Sequence, residues 1–178
     1  MSIVKIEGNH FNALLANVPK NDARYYLCGI LMDHAERVMV ATDGHAMTWV
    51  PFETTDELSE DIIWSVTKPV AKSVDHVEIW IEPNPGEDTL RYNQRGELHR
   101  IGLSRVDGKF PDWKRVRGEG LNGVEIDTVS FNPNLVNRTA KALGVVGVSL
   151  SFTKDLGPIK VEYSKEPDVH SVVMPMRV

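Results

Sequence analysis

The chain opens on an alternation of apolar and polar positions from Ile3 to Ile6, which predicts a strand. Phe11, Leu14, Leu15 and Val18 then follow at i, i+3, i+4 and i+7, the spacing of one helix face, with Asn9 as the expected cap and Pro19 as the stop. Apolar runs at Tyr25 to Met32, Val38 to Ala41 and Met47 to Val50 predict strands, the last two separated by the turn Thr42-Asp43-Gly44-His45. The order strand, helix, strands recurs twice. Ile62 to Val66 is β-branched and aromatic, Pro69 can open a two-turn helix to Val74, and Val77, Ile79 and Ile81 alternate. Turns at Asn84-Pro85-Gly86 and Gln94-Arg95-Gly96 separate further strands near Leu90 and from Leu98 to Ser104.

The third pass starts with a strand-like run from Val124 to Phe131. Asn132 caps a helix with Pro133 in its first position, Leu135, Val136, Ala140 and Leu143 on one face, and Gly144 at its end. Val148, Leu150 and Phe152 alternate next. A turn at Asp155-Leu156-Gly157-Pro158, a strand from Ile159 to Tyr163 and an apolar tail from Ser171 to Met176 complete the pattern. Helices near His10, Pro69 and Pro133 recur about every 60 residues, so three strand-helix-strand modules are expected in tandem. Each leaves one helix face and one sheet face to bury. The fold class is therefore α+β, antiparallel sheets with short helices packed on one face.

Composition narrows the class. The 178 residues are 42% hydrophobic, enough for an ordinary core, and carry a net charge of −5. That charge is unevenly spread: residues 91 to 117 hold eight Lys or Arg against three acids, a local +5 that leaves −10 on the rest. The total argues against a uniformly basic nucleic-acid coat. Cys28 is the only cysteine, which excludes an internal disulfide and fits a reducing, cytoplasmic setting. No charged segment precedes an apolar one at Met1, and no run approaches the ~20 apolar residues of a membrane span.

Few residues suggest bond-making chemistry. Asp43 and His45 share a turn, but no nucleophile is marked beside them, so no catalytic residue and no enzyme is expected. His34 and His45 with Asp43 are the one candidate metal set. The chain lacks a closely spaced His or Cys pair, so neither metal nor cofactor is expected. Gly144 to Gly147 follow a helix and precede a strand, the wrong order for phosphate binding.

Four separated segments carry a family resemblance. Asp22 to Gly29 (DARYYLCG), Val40 to Met47 (VATDGHAM), Asp107 to Val116 (DGKFPDWKRV) and Val172 to Val178 (VVMPMRV) together resemble, in the same order, the bacterial DNA polymerase III beta sliding clamp. The resemblance spans nearly the whole chain, which is about half the family's usual length. Residues 1–117 resemble the middle clamp domain, made of two modules. Residues 118–178 resemble only the second half of the last domain.

The resemblance implies a clamp fold and a pocket that receives the short linear motifs of DNA polymerase and other replication proteins. Its lining would be Leu27, Thr42, Gly44, His45, Met47, Pro111, Arg115, Val116, Val172, Val173, Met174, Pro175, Met176 and Arg177. Flexible, polarizable Met174 and Met176 suit a surface that accepts several apolar peptides. The chain departs from the family at Ala46, where arginine is common, which alters one pocket wall. The resemblance also implies a sequence-independent grip on duplex DNA. Arg24, Tyr25 and Tyr26 match a segment that touches DNA, and Lys72, Arg138 and Lys141 lie on the expected inner helices, although the first helix has no Lys or Arg. Encircling DNA would require a homo-oligomer. The expected function is thus a processivity factor that binds clamp-binding motifs, or alternatively a non-encircling mimic that competes for the same partners.

Overall fold

The computed structural model describes residues 1–66, 68–117, 129–152 and 157–176. Strand β1 (Ser2–Glu7) runs directly into helix α1 (Gly8–Leu15). An irregular stretch with a single helical turn at Tyr25–Leu27 leads to the meander β2 (Ile30–Asp33), β3 (Val38–Thr42) and β4 (Ala46–Pro51). Strands β5 (Ile62–Ser65), β6 (His76–Ile81), β7 (Thr89–Gln94), β8 (Glu97–Gly102) and β9 (Ser104–Arg105) follow. Helix α2 (Pro133–Leu143) then precedes β10 (Val148–Ser151), β11 (Ile159–Tyr163) and β12 (Glu166–Val173).

All pairings among the described strands are antiparallel. They make a four-stranded sheet, β1-β6-β7-β8, and an eight-stranded sheet, β10-β11-β12-β4-β3-β2-β5-β9. The first strand of each early repeat crosses to the sheet of the other: β1 pairs with β6, and β5 with β2. The seam between early and late parts of the chain is β12 on β4, with His170 opposite Trp49 and Val173 opposite Ala46.

Strands β2 to β4 read as nearly continuous apolar runs because both of their faces are buried. Ile30, Met32, Met39, Ala41 and Val50 join the main core under the helices, with Phe11 and Leu14 of α1 and Val136 and Leu143 of α2. Their neighbours Leu31, Val40, Met47 and Trp49 point the other way. These build a smaller core with Leu27, Ile63, Phe110, Trp113 and Val172. A sheet buried on both sides can therefore carry a site on its outer face without losing its support.

Helix α2 has the ends expected of it. The Asn132 side chain accepts a hydrogen bond from the Asn134 N–H at 3.0 Å, and Gly144 closes the helix with a left-handed φ of 77°. In α1 the cap falls on Glu7 rather than Asn9, and the helix stops at Leu15, before Val18.

The second expected helix does not form. Residues 68–71 carry no helical hydrogen-bond pattern, and only a turn occurs at Lys72 and Ser73. Asn12 of α1 supplies the reason. Its side-chain amide donates to the Val70 carbonyl at 3.0 Å and its oxygen accepts from the Val70 N–H at 3.0 Å, so both backbone groups are satisfied without a helix. Val66, Val70 and Val74 are still buried, as their apolar character demands. A segment this short cannot outweigh those contacts on helical propensity alone. Among the described residues, the expected three strand-helix-strand modules thus reduce to two helix-bearing parts and one that keeps only its strands. The strand expected from Val124 lies outside the described residues up to 128; beyond it, Ser130 makes an isolated bridge to Met176.

A buried polar network holds the two helix-bearing parts together. The Asn17 side chain, 1% exposed, donates to the Ala13 carbonyl, to Thr48 Oγ1 at 3.0 Å and to Thr139 Oγ1 at 2.9 Å. Thr48 in turn bonds Ser171 of β12. Thr139 and Ser171 belong to the late part and Asn17 and Thr48 to the early one, so the seam is specified by polar partners as well as apolar area.

Candidate functional site

The turn Thr42-Asp43-Gly44-His45 is closed by its own side chains. Thr42 Oγ1 donates to the Ala46 carbonyl at 2.7 Å and accepts from the Gly44 N–H at 3.0 Å, while Asp43 accepts from the N–H groups of His45 and Ala46, both at 2.9 Å. Gly44 sits at φ 87°, and a Cβ there would lie 2.7 Å from Arg24 Nη1. The turn needs glycine for both its backbone angle and the guanidinium packed over it.

Beside this turn β12 reaches the end of its pairing with β4. Val172 stands opposite Met47, and the Met174 N–H donates to the His45 carbonyl at 2.9 Å. The loop carrying Phe110, Pro111 and Trp113 comes from the opposite side. Trp113 is pinned by donation from its indole N–H to the Asp33 carboxylate at 3.0 Å and lies 6.0 Å from the Trp49 ring. Burial pulls the Asp33 carboxyl upward, but the Glu36 N–H, the Trp113 indole and Lys114 outweigh it and hold it below its ordinary value. Gly108 lets the same loop approach Tyr26, where an added Cβ would come within 2.9 Å of the tyrosine Cβ.

These three segments, with Arg24 to Leu27 as a fourth, line a cavity of about 280 Å³ on the outer face of the eight-stranded sheet. Of the expected pocket residues, Leu27, Thr42, Gly44, His45, Met47, Pro111, Val116, Val172 and Met174 line it. Its floor is the smaller core, and Met174, 39% exposed, stands at its mouth. The volume is near the lower bound of ~300 Å³ typical of ligand pockets, a size for one or two apolar side chains.

Other expected lining residues lie elsewhere. Val173 alternates to the opposite face of β12 and packs in the main core under the helices. Met176, 57% exposed, is tied through its N–H to the Ser130 carbonyl at 2.7 Å and does not line the cavity, nor do Pro175 and Arg115. Arg177 is outside the described residues. Ala46, expected to alter one pocket wall, lines the cavity, and Arg24, Tyr26 and Trp113 join the lining beyond the residues expected there. Trp113 lay within a motif already singled out, and the small Ala46 opens the wall that an arginine would fill.

Arg24 and Tyr26 are also among the residues expected at DNA. In the structure Arg24 grips Asp22 through two bonds of 3.0 and 2.8 Å and donates to the Asp43 carbonyl. That contact draws the Asp22 carboxyl down to about 2. Tyr25 remains 58% exposed and meets Tyr26 edge to face. Arg138 is committed inside the chain: Nη1 donates to Asp43 at 2.7 Å, and Nε and Nη2 donate to Asn17 Oδ1 at 3.1 and 2.8 Å. Lys72 and Lys141 are exposed on the helix side. Lys72 shares with Lys20 a groove beside α1 that is otherwise largely apolar.

Half of the eight basic residues from Arg91 to Arg117 are engaged within the chain. Arg91 lies 3.7 Å over the Trp80 ring, Arg105 binds the fully buried Asp88, and Lys114 and Arg117 reach Glu36. His34 and His45 do not form a metal set with Asp43. His34 bonds Asp61 at the far end of the β2–β3 hairpin, whereas His45 sits in the turn between β3 and β4.

This fold is shared with solved bacterial DNA polymerase sliding clamps. The Pseudomonas aeruginosa clamp with ligand superposes with a TM-score of 0.69 at 18% identity, covering 99% of this chain and 66% of that one. A Bartonella birtlesii clamp bound to griselimycin gives 0.67 at 17% identity, covering 99% and 66%. The beta chain of DNA polymerase III from Streptococcus pneumoniae gives 0.66 at 15%, covering 100% and 65%. No protein-family model and no curated sequence matches. The chain therefore has the sliding-clamp fold. It spans slightly less than two thirds of those clamps, and the resemblance expected from its four motifs holds at the level of architecture.

Proposed function

We propose that the chain is a clamp-like replication protein whose outer cavity captures short apolar clamp-binding motifs of DNA polymerase and other replication proteins. One observation supports this above others. Three segments far apart in sequence, the turn at Thr42 to His45, the loop at Pro111 to Val116 and the strand end at Val172 to Met174, converge on a single apolar cavity. The rigid floor beneath it limits the ordering cost of binding, while Met174 at the mouth can adapt to different side chains. No catalytic step is proposed. The reading places residues 1–117 as a whole clamp domain and 118–178 as a half domain.

Ring formation would come from self-association, with Lys72, Lys141 and exposed Tyr25 left to meet duplex DNA. The alternative, a non-encircling mimic that competes for clamp partners, is favoured by two observations. Asn12 binds the segment expected to form the second inner helix in a non-helical form, and Arg138 is engaged with Asp43 and Asn17. Mass measurement in solution separates the two readings: a multiple of 20.0 kDa with salt-dependent retention on circular DNA supports a ring, and a monomer supports the mimic.

The pocket itself is tested by titrating the full chain with a synthetic clamp-binding peptide under heteronuclear NMR. Shifts should centre on the Met47 and Met174 methyls and the Trp113 indole. Shifts centred on the helix side instead, or none, would remove the proposal.

A further inference from the structure

We propose that Glu7, His10 and Glu166 form a site for one divalent transition-metal ion, on a part of the molecule separate from the outer cavity. Their donor atoms all lie within 4.8 Å of one another. His10 is 5% exposed, yet its Nε2 faces two carboxylates: Glu166 Oε2 at 3.0 Å and Glu7 Oε2 at 3.5 Å. Metal–donor bonds of about 2.0–2.2 Å in tetrahedral zinc sites separate neighbouring donors by about 3.3–3.6 Å. The 3.5 Å imidazole–carboxylate distance falls in that range, the 3.0 Å one is a few tenths of an ångström short of it, and the two carboxylate oxygens lie no more than 4.8 Å apart.

The chain also orients these donors. Glu7, the last residue of β1 and the cap position of α1, stands three positions before His10 of the first helical turn, and the two side chains meet there. Asn9 Nδ2 donates to Glu166 Oε1 at 3.0 Å, which turns Oε2 toward His10. Such a hydrogen bond to the second carboxylate oxygen is the support that metal ligands commonly receive. Glu7 and His10 further line a cavity of about 260 Å³ together with His76 and Asp168. This gives an ion a route of entry and water a place to complete the coordination. Two carboxylates and one neutral imidazole balance a divalent charge, and their combined charge exceeds the roughly +0.5 of the helix N-terminus. The imidazole selects a transition metal over magnesium.

Glu166 and His10 are 156 positions apart, so the ion would tie the first helix to the last strand. The pattern was hidden in the sequence because two donors are local and the third comes from the other end of the chain.

The test is a titration of the metal-free full chain with Zn²⁺ against a chromophoric indicator, with Co²⁺ as a spectroscopic substitute. One ion per chain is expected, with the intense visible bands of a four-coordinate Co²⁺ site, and millimolar Mg²⁺ should not displace it. Glu7→Gln and Glu166→Gln should each weaken binding about tenfold or more. Glu7 is 53% exposed, so its variant should keep the wild-type melting temperature in chelator, separating ligand loss from misfolding. Absence of saturable binding, displacement by Mg²⁺, or affinity unchanged in both variants would overturn the assignment.

Discussion

Arg138 of α2 donates to the Asp43 carboxylate of the β3–β4 turn at 2.7 Å, joining the late helix to the turn that forms one wall of the outer cavity. The same guanidinium holds Asn17 Oδ1, so one side chain connects the cavity wall, the end of α1 and the buried network across the seam. A basic residue expected to face DNA thus also forms an internal latch.

Replacing Arg138 with alanine leaves Asp43 and Asn17 without their strongest donor. The expected loss of folding stability is about 1–3 kcal/mol, the cost of an abandoned, partly buried polar group. Urea unfolding of Arg138→Ala against wild type measures it. An unchanged midpoint would show that the latch contributes nothing.

The latch should also shape acid stability. Burial raises the Asp43 carboxyl, but Arg138 and the N–H groups of Ala46 and His45 more than offset this and hold it below its ordinary value. A carboxyl depressed in the folded state contributes stability that is complete above its unfolded value of ~3.9 and disappears as pH falls through the folded value. Wild type should therefore lose stability below ~pH 4 more steeply than Arg138→Ala. Unfolding midpoints across that range check the sign, and parallel curves would contradict it.

Gly44→Ala should damage the cavity rim locally. The left-handed φ costs an alanine about 1–2 kcal/mol, and its Cβ would displace the Arg24 guanidinium. The variant should stay folded, melt lower and bind a cavity-directed peptide more weakly. Retention of both melting temperature and affinity would show that the turn has another conformation available.

On the helix side, Lys72→Glu and Lys141→Glu should each lower the salt dependence of any DNA binding by about one unit of log–log slope, with no change in peptide affinity. Filter binding at several salt concentrations measures the slope. Equal loss of peptide binding would mean that the two surfaces are not independent.

How much was legible in the sequence depended on how local the cause was. Asn132, Pro133 and Gly144 fix both ends of α2 within its own length, and that helix forms as expected. The helix expected from Pro69 to Val74 does not, because Asn12, 58 positions away, takes both backbone groups of Val70. Nine cavity residues follow from the motifs, yet the motifs do not distinguish Val172 from Val173. Only the register on β4 shows that Val172 faces the cavity and Val173 the helices. The positive stretch from Arg91 to Arg117 was visible as composition. Its partners were not: Asp88 and Glu36 pair with Arg105, Lys114 and Arg117, and the Trp80 ring lies under Arg91.

The central claim is that the outer cavity captures clamp-binding peptides, and the most direct measurement is equilibrium binding of a fluorescent peptide to wild type and Met174→Glu. Met174 is exposed at the cavity mouth, so the substitution leaves the core intact while placing a charge where apolar side chains must enter. Saturable 1:1 binding by wild type, weakened at least tenfold in the variant at an unchanged melting temperature, is the predicted result. No binding by folded wild type, or equal affinity in the two proteins, would contradict it.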